Sequence, residues 1–272
     1  MIHIFCALSC EAEPIIQYFK LSKLKEFELF RLYLSEDKQV SLIITGIGKL
    51  NAASAVSYHH GCLNTSSADI WLNIGVAGHA NLPIGEACLI NKITDNQHHT
   101  SWYPQILFKT DCTSAPLITL DIPSTDYQNV LFDMEAAGFY QMALRLGAAE
   151  LIHCLKIVSD NHEHPTASIN ADGVKKLIAA HKTTIEQIME LLKPLSAELN
   201  SIKTEPKYFQ PLVEQYHFTQ SARIQLLRLL RQWSVRFPDK DIMQSVSGLQ
   251  NSNAIIKKIQ NELAESNFVI HD

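Results

Sequence analysis

One run of eight mostly apolar residues, Leu151–Val158 (LIHCLKIV), limits what this chain can fold into. A run of that kind suits a strand buried on both faces, as in parallel sheets covered by helices. It releases the chain at Ser159-Asp160. A carboxylate is thereby set just beyond the carboxyl end of a central strand, where open α/β sheets bind ligands. Upstream, Phe132-Asp133-Met134-Glu135 closes a loop onto a helix with a small, apolar packing face from Ala136 to Leu146. Glu135 begins that helix, so the stretch Asn129–Asn161 carries two carboxylates at element ends.

The rest of the chain reads as alternating strands and helices. Ile2–Leu8 is a short strand and Glu11–Phe19 has helical spacing. Glu26–Leu34 and Val40–Thr45 alternate like strands around a turn at Ser35–Lys38. Gly46-Ile47-Gly48 is a tight exit to a helix over Lys49–His60, rich in alanine and serine. Ala68–Gly75 is a buried strand ending in a glycine turn, Gly75-Val76-Ala77-Gly78, and Ile84-Gly85 turns the chain into Ala87–Ile93. Polar residues dominate Thr94–Ser114, with His98, His99, Trp102 and Tyr103 close together, which reads as a loop or lid. Leu117–Leu120 resumes a strand. Ala167–Leu195 is a long helix, interrupted near Ala171-Asp172-Gly173 and stopped by Pro194. The expectation is a three-layer α/β/α domain over residues 1–195. A linker at Ser196–Pro206 opens a helical C-terminal extension, 196–272. There Thr219 caps a helix with an apolar face of Leu226, Leu230, Trp233 and Phe237.

A chain of 272 residues, 46% hydrophobic and 19% charged, can close one large core plus an extension. A net charge of −5 argues against nucleic acid as the partner of the body. No apolar run approaches the roughly 18 residues of a membrane span. MIHIFCALSCEAEP lacks a basic leader and its apolar run breaks at Glu11 and Glu13, so no signal is expected. Six cysteines without paired short spacing indicate reduced thiols and a cytoplasmic protein. The histidine pairs and His162-Glu163-His164 show no third ligand at metal spacing, so no metal is expected.

Glu11, the Gly75–Gly78 turn, Met134-Glu135 and Ser159-Asp160 all sit at strand ends that a doubly wound sheet brings to one edge. Cleaving a sugar–base bond needs an acid for the leaving base, a base for the attacking water and acceptors for the ribose hydroxyls. In order, ALSCEAEPII, TGIGKLNAASA, NIGVAGHANLPIGE, FDMEAAGFY and KIVSDN resemble the motifs of the nucleoside phosphorylase superfamily. The likeness is strongest to its methylthioadenosine/S-adenosylhomocysteine nucleosidase branch and spans about residues 1–195. The paired DMEAAG and SDN are the specific part, since glycine turns occur in many α/β enzymes.

The resemblance implies that Glu11 activates water and Glu135 grips the ribose 2′- and 3′-hydroxyls, with Met134 packed under the sugar. It implies that Asp160, beside Ser159, protonates the purine N7, and that the Val76-Ala77-Gly78 backbone lines sugar and base. Taken singly, each carboxylate serves equally well as a surface or helix-capping group; their joint order carries the reading. Tyr127, Phe132 and Tyr103 are candidates to stack on a base, set against plain core or lid packing. The chain departs from the pattern in a shorter 93–117 segment, in Lys156 where these enzymes commonly carry arginine, and in Val76.

The expected activity is hydrolysis of the N-glycosidic bond of a 5′-substituted adenosine, with no cofactor. The alternatives are a phosphorylase and a non-catalytic nucleoside-binding or scaffold protein. Phosphorolysis needs a cation for phosphate; Arg31 and Lys49 are the only candidates by order. A homo-oligomer is expected. The arginines of the C-terminal helix, Arg223, Arg228, Arg231 and Arg236, leave open nucleic acid, acidic lipid or a protein partner against a solvated face.

Overall fold

Apolar residues alternate by strand face along this chain, and the alternation sorts them onto two sides of one sheet. The computed structural model describes residues 1–124, 126–165, 169–203 and 205–265, with the backbone alone at 202 and 203. The elements are β1 (Ile2–Cys6), α1 (Ser9–Tyr18), β2 (Ser22–Lys23), β3 (Arg31–Leu34), β4 (Val40–Ile44), α2 (Lys49–Leu63) and β5 (Ile70–Gly78). There follow β6 (Ala87–Asp95), β7 (Ser101–Trp102), β8 (Thr113–Thr119), β9 (Leu131–Asp133), α3 (Ala136–Ala143) and β10 (Ile152–Asp160). The chain continues through α4 (Ala171–Ala180), α5 (Lys182–Lys203), α6 (Phe209–Gln215), α7 (Gln220–Arg236), α8 (Ile242–Ser245) and α9 (Ser252–Glu265).

The chain divides into two compact units, Met1–Leu199 and Asn200–Asp272. In the first, β5 pairs in parallel with β1 and β10, and β1 pairs in parallel with β4. The strands β5, β10, β6, β8 and β9 pair in a closed circuit, while β1, β4, β3 and β2 extend it as an open wing. Period-two alternation sends Leu155 and Ile157 to the face covered by Ala12, Ile15, Val174 and Ile178 of α1 and α4. Ile152, Cys154 and Val158 go to the opposite face, against Ala52, Val56, Phe139 and Tyr140 of α2 and α3. Helices on both faces make the layered α/β arrangement that the sequence implies.

Four local readings change. Gly75–Gly78 is not a turn but the last four residues of β5. The strand expected from Glu26 begins only at Arg31. Pro194 does not stop its helix, which runs on to Lys203. Proline forfeits one helical hydrogen bond, and Pro194 is exposed, so water can take up the freed carbonyl. The break instead falls at His181, and the helix starts at Ala171, where the Asn170 side chain caps it by accepting from the Gly173 N–H. Residues 167 and 168 of the expected helix lie outside the described residues. The expected boundary at 195/196 moves to 199/200 because helix replaces most of the expected linker.

The second unit has its own core of Leu226, Leu229, Leu230 and Trp233 from α7 with Ile255, Ile256 and Ile259 from α9. The four arginines of α7 are exposed. Thr219 Oγ1 accepts from the Ala222 N–H at 3.3 Å and caps α7. Thr219→Ala is expected to cost this unit about 1 kcal/mol, read as a lower urea midpoint in the fluorescence of Trp233.

Candidate functional site

At the carboxyl ends of β5 and β10 lies a cavity of about 350 Å³. It is lined by Glu11, Val76, Ala77, Gly78, Phe132, Met134, Glu135, Ser159 and Asp160, the residues to which the resemblance gave a role together with Phe132, and by Tyr127, another stacking candidate. Ala7, Leu8, Ile47, Leu120, Pro123, Ser124, Asp133, Ile169 and Val174 complete the wall.

Glu11 sits in the first turn of α1. One carboxylate oxygen accepts from the Leu8 N–H at 2.8 Å, the other from the Val76 N–H at 2.9 Å. Burial raises its pKa, against the pull of Lys156 and these N–H groups. The close approach explains Gly75, since a Cβ there would stand 2.7 Å from Glu11 Oε1. Gly78 has the same reason on the other side, with its Cβ position 2.8 Å from Asp160 Oδ2. The glycines of this strand are small because two acids lean on them.

Asp160 is the last residue of β10. Tyr127 donates its hydroxyl to Oδ2 at 2.8 Å and Ser159 donates to Oδ1 at 2.5 Å. Tyr127 in turn meets the edge of His162, with ring centres 5.3 Å apart.

Glu135 occupies the N-cap position of α3. Its Oε1 accepts from the Gly48 N–H at 2.9 Å. Gly48 has φ +101°, a conformation that favours glycine and presents this N–H. Burial and then the neighbouring charge of Asp133 push Glu135 up to about 7, against the pull of Lys156 and the Gly48 N–H. An unfolded chain ionises this side chain near 4.5. From that pH up to about 7 the unfolded state therefore sheds the proton first, and the group lowers stability as pH rises. Glu135→Gln should consequently melt at a higher temperature than wild type above pH 7 and at the same temperature below about 4.5. Comparing variant with wild type cancels the buried histidines, such as His153 at about 4, which act in the opposite sense.

Two buried residues to which the sequence reading gave no role in the site, Asp133 of the cavity wall and Lys156 beside it, form an ion pair. Lys156 Nζ contacts Asp133 Oδ2 at 2.9 Å and both are buried. Asp133 also accepts from Thr119 Oγ1 at 2.8 Å and from the Ala136 N–H at 2.9 Å. The available signal was a lysine inside an otherwise apolar strand, since a buried charge requires a partner.

Other expectations shift. The 94–114 segment does not line the cavity; Trp102, Ile106, Phe108 and Cys112 pack on the two cores. Leu120, Pro123, Ser124 and Tyr127 supply that wall, and the Tyr127–Asp160 bond tethers it. Tyr103 is 65% exposed and away from the site. Arg31 donates to Ser9 Oγ, and Lys49 is paired with Asp95 at 2.7 Å and Asp121 at 2.8 Å. Among the described residues, none lining the cavity is lysine, arginine or histidine. No helix among the described residues is long and apolar enough to cross a membrane.

No protein-family model and no curated protein matches the sequence. Solved structures do match. The 5′-methylthioadenosine nucleosidase of Arabidopsis thaliana aligns at a TM-score of 0.59 and 19% identity, over 70% of this chain and 95% of its own. The corresponding MTA/SAH nucleosidase of Colwellia psychrerythraea, in complex with adenine, gives 0.55 and 15% over 71% and 94%. The Chlamydia trachomatis MTAN gives 0.53 and 22% over 68% and 97%. At these identities the likeness establishes the fold, which is that of the nucleoside phosphorylase/nucleosidase group.

Proposed function

We propose that this chain, which has the fold of the MTA/SAH nucleosidases, is itself a cytoplasmic purine nucleosidase. Its reaction is hydrolysis of the N-glycosidic bond of a 5′-substituted adenosine of the methylthioadenosine or S-adenosylhomocysteine type. The observation that carries this reading is that Glu11, Glu135 and Asp160, far apart in sequence, line one cavity of nucleoside size.

In the proposed mechanism Asp160 hydrogen-bonds purine N7 and delivers a proton as the bond to C1′ breaks. Proton delivery of this kind contributes about 10²–10⁴-fold to rate. The hydroxyls of Tyr127 and Ser159 aim the Asp160 carboxyl. Glu135 accepts the 2′- and 3′-hydroxyls; binding them favours its charged form, so substrate uptake releases a proton near neutral pH. Met134 packs beneath the sugar, Val76-Ala77-Gly78 lie along sugar and base, and Phe132 faces the base. Buried Glu11 takes a proton from the water that attacks the oxocarbenium-like sugar.

Hydrolysis is favoured over phosphorolysis because neither cation expected to hold phosphate lines the cavity: Arg31 donates to Ser9 and Lys49 is paired with two aspartates. The test is base release from a panel of 5′-substituted adenosines, with and without phosphate. Equal rates of adenine release in both support the proposal. Release that requires phosphate and yields a sugar-1-phosphate makes the protein a phosphorylase. Tight binding without turnover makes it a nucleoside-binding protein.

A further inference from the structure

The peptide that carries Met134 and Glu135 into the cavity is pinned from below at several points. Asp133 ends β9 and faces β8 and β10 at once. Its Oδ1 accepts from Thr119 of β8, and the same Thr119 oxygen accepts from the Ala137 N–H at 3.0 Å. Its Oδ2 accepts from the Ala136 N–H and meets Lys156 of β10. The Leu120 N–H donates to the Asp133 carbonyl at 2.7 Å. Asp133 thus caps the helix whose first residue follows Glu135, and Lys156 holds the cap. A buried ion pair is a poor way to gain stability, since an apolar pair of the same volume serves as well or better. Its retention under a functional carboxylate asks for another reason.

We propose that Asp133 and Lys156 are positioning residues for Glu135: their ion pair fixes the backbone that presents this carboxylate and balances the field in which it meets the sugar. The proposal rests on the reading of Glu135 as the ribose-binding group. Neither residue touches substrate in this scheme. Asp133 repels the Glu135 charge and Lys156 attracts it, the one offsetting the other. This carboxylate also accepts from the Gly48 N–H ahead of α2 and, at 3.4 Å, from the Met134 N–H, feels the charge of Glu11 from α1, and shares the cavity with Asp160. Cys6 and Cys154 are thiols whose pKa burial raises, and Lys49 is held by Asp95 and Asp121. Lys156 itself is disfavoured as a cation by burial, but Asp133 and Glu135 outweigh that and hold it above the usual lysine range.

A residue that merely holds the fold would change stability and leave the titration of Glu135 alone. The two partners should instead move that titration in opposite directions. In the full chain with ¹³C-labelled glutamate, the Glu135 carboxyl resonance is assigned by its loss in Glu135→Gln and followed against pH. Asp133→Asn removes the repulsion and should lower the midpoint by about one unit or more. Lys156→Met removes the attraction and should raise it. The double variant replaces the pair by neutral groups, which buried pairs tolerate well. It keeps the test alive if Lys156→Met fails to fold, and its midpoint should lie above that of Asp133→Asn. The acid limb of kcat/KM for base release should follow the same order, and discrimination between ribosyl and 2′-deoxyribosyl substrates should shrink in Asp133→Asn. An unmoved midpoint in Asp133→Asn, or a double variant that coincides with it, overturns the proposal. Because the resonance is read without turnover, a wild-type protein that releases no base would sink the nucleosidase reading and leave this inference standing.

Discussion

Asp160→Asn is expected to lower kcat for adenine release by about 10²–10⁴-fold, the range for loss of a general acid, with KM near the wild-type value. The substitution keeps an acceptor for Tyr127 and removes the proton that the leaving base requires. A 5′-methylthioriboside with a 4-nitrophenolate leaving group needs little protonation. Asp160→Asn should therefore cleave it at close to the wild-type rate, which separates a lost acid from a collapsed pocket. Adenine release within a factor of a few of wild type would remove Asp160 from the role assigned to it.

The second large effect lies away from the chemistry. A Cβ on Gly138 would stand 2.1 Å from the Lys49 carbonyl oxygen and 2.8 Å from the Lys49 Cα. The obstacle is backbone, so no side chain can swing aside, and α2 or α3 must move. Overpacking typically costs about 1–3 kcal/mol, and contact with backbone puts Gly138→Ala at about 3 kcal/mol or more. The damage reaches the site as well. The start of α2 follows Gly48, whose N–H holds Glu135, so kcat/KM should fall together with stability. Urea denaturation checks the first effect; a loss within about 0.5 kcal/mol, as for an ordinary surface change, would contradict the close packing of α2 on α3.

Much of the body was legible because its signals are local. The apolar run at Leu151–Val158 gave β10 to within a residue at its start, and the Ala-rich run after Gly48 gave α2. The joint order of Glu11, Met134-Glu135 and Ser159-Asp160 pointed to strand ends, and these residues share one cavity. What misled was chemistry with two causes. Glycine reads as a turn, yet Gly75 and Gly78 are small because Glu11 and Asp160 press on β5. Polar and aromatic residues read as a lid at 94–114, but polarity reports exposure and not what a loop covers. Leu120, Pro123, Ser124 and Tyr127 form the wall, tied by a Tyr127–Asp160 bond across 33 positions. Lys156 and Asp133 meet only because β9 and β10 converge under the site, which no spacing in the chain records.

In the proposed mechanism water, activated at Glu11, replaces the base on the sugar. The most direct measurement is the reaction of 5′-methylthioadenosine in H₂¹⁸O with phosphate present, with both products analysed by mass spectrometry. Free adenine and a 5-methylthioribose carrying one ¹⁸O at C1 are expected, with both lost in Glu11→Gln. Unlabelled sugar-1-phosphate, or intact nucleoside after prolonged incubation with folded protein, would contradict it.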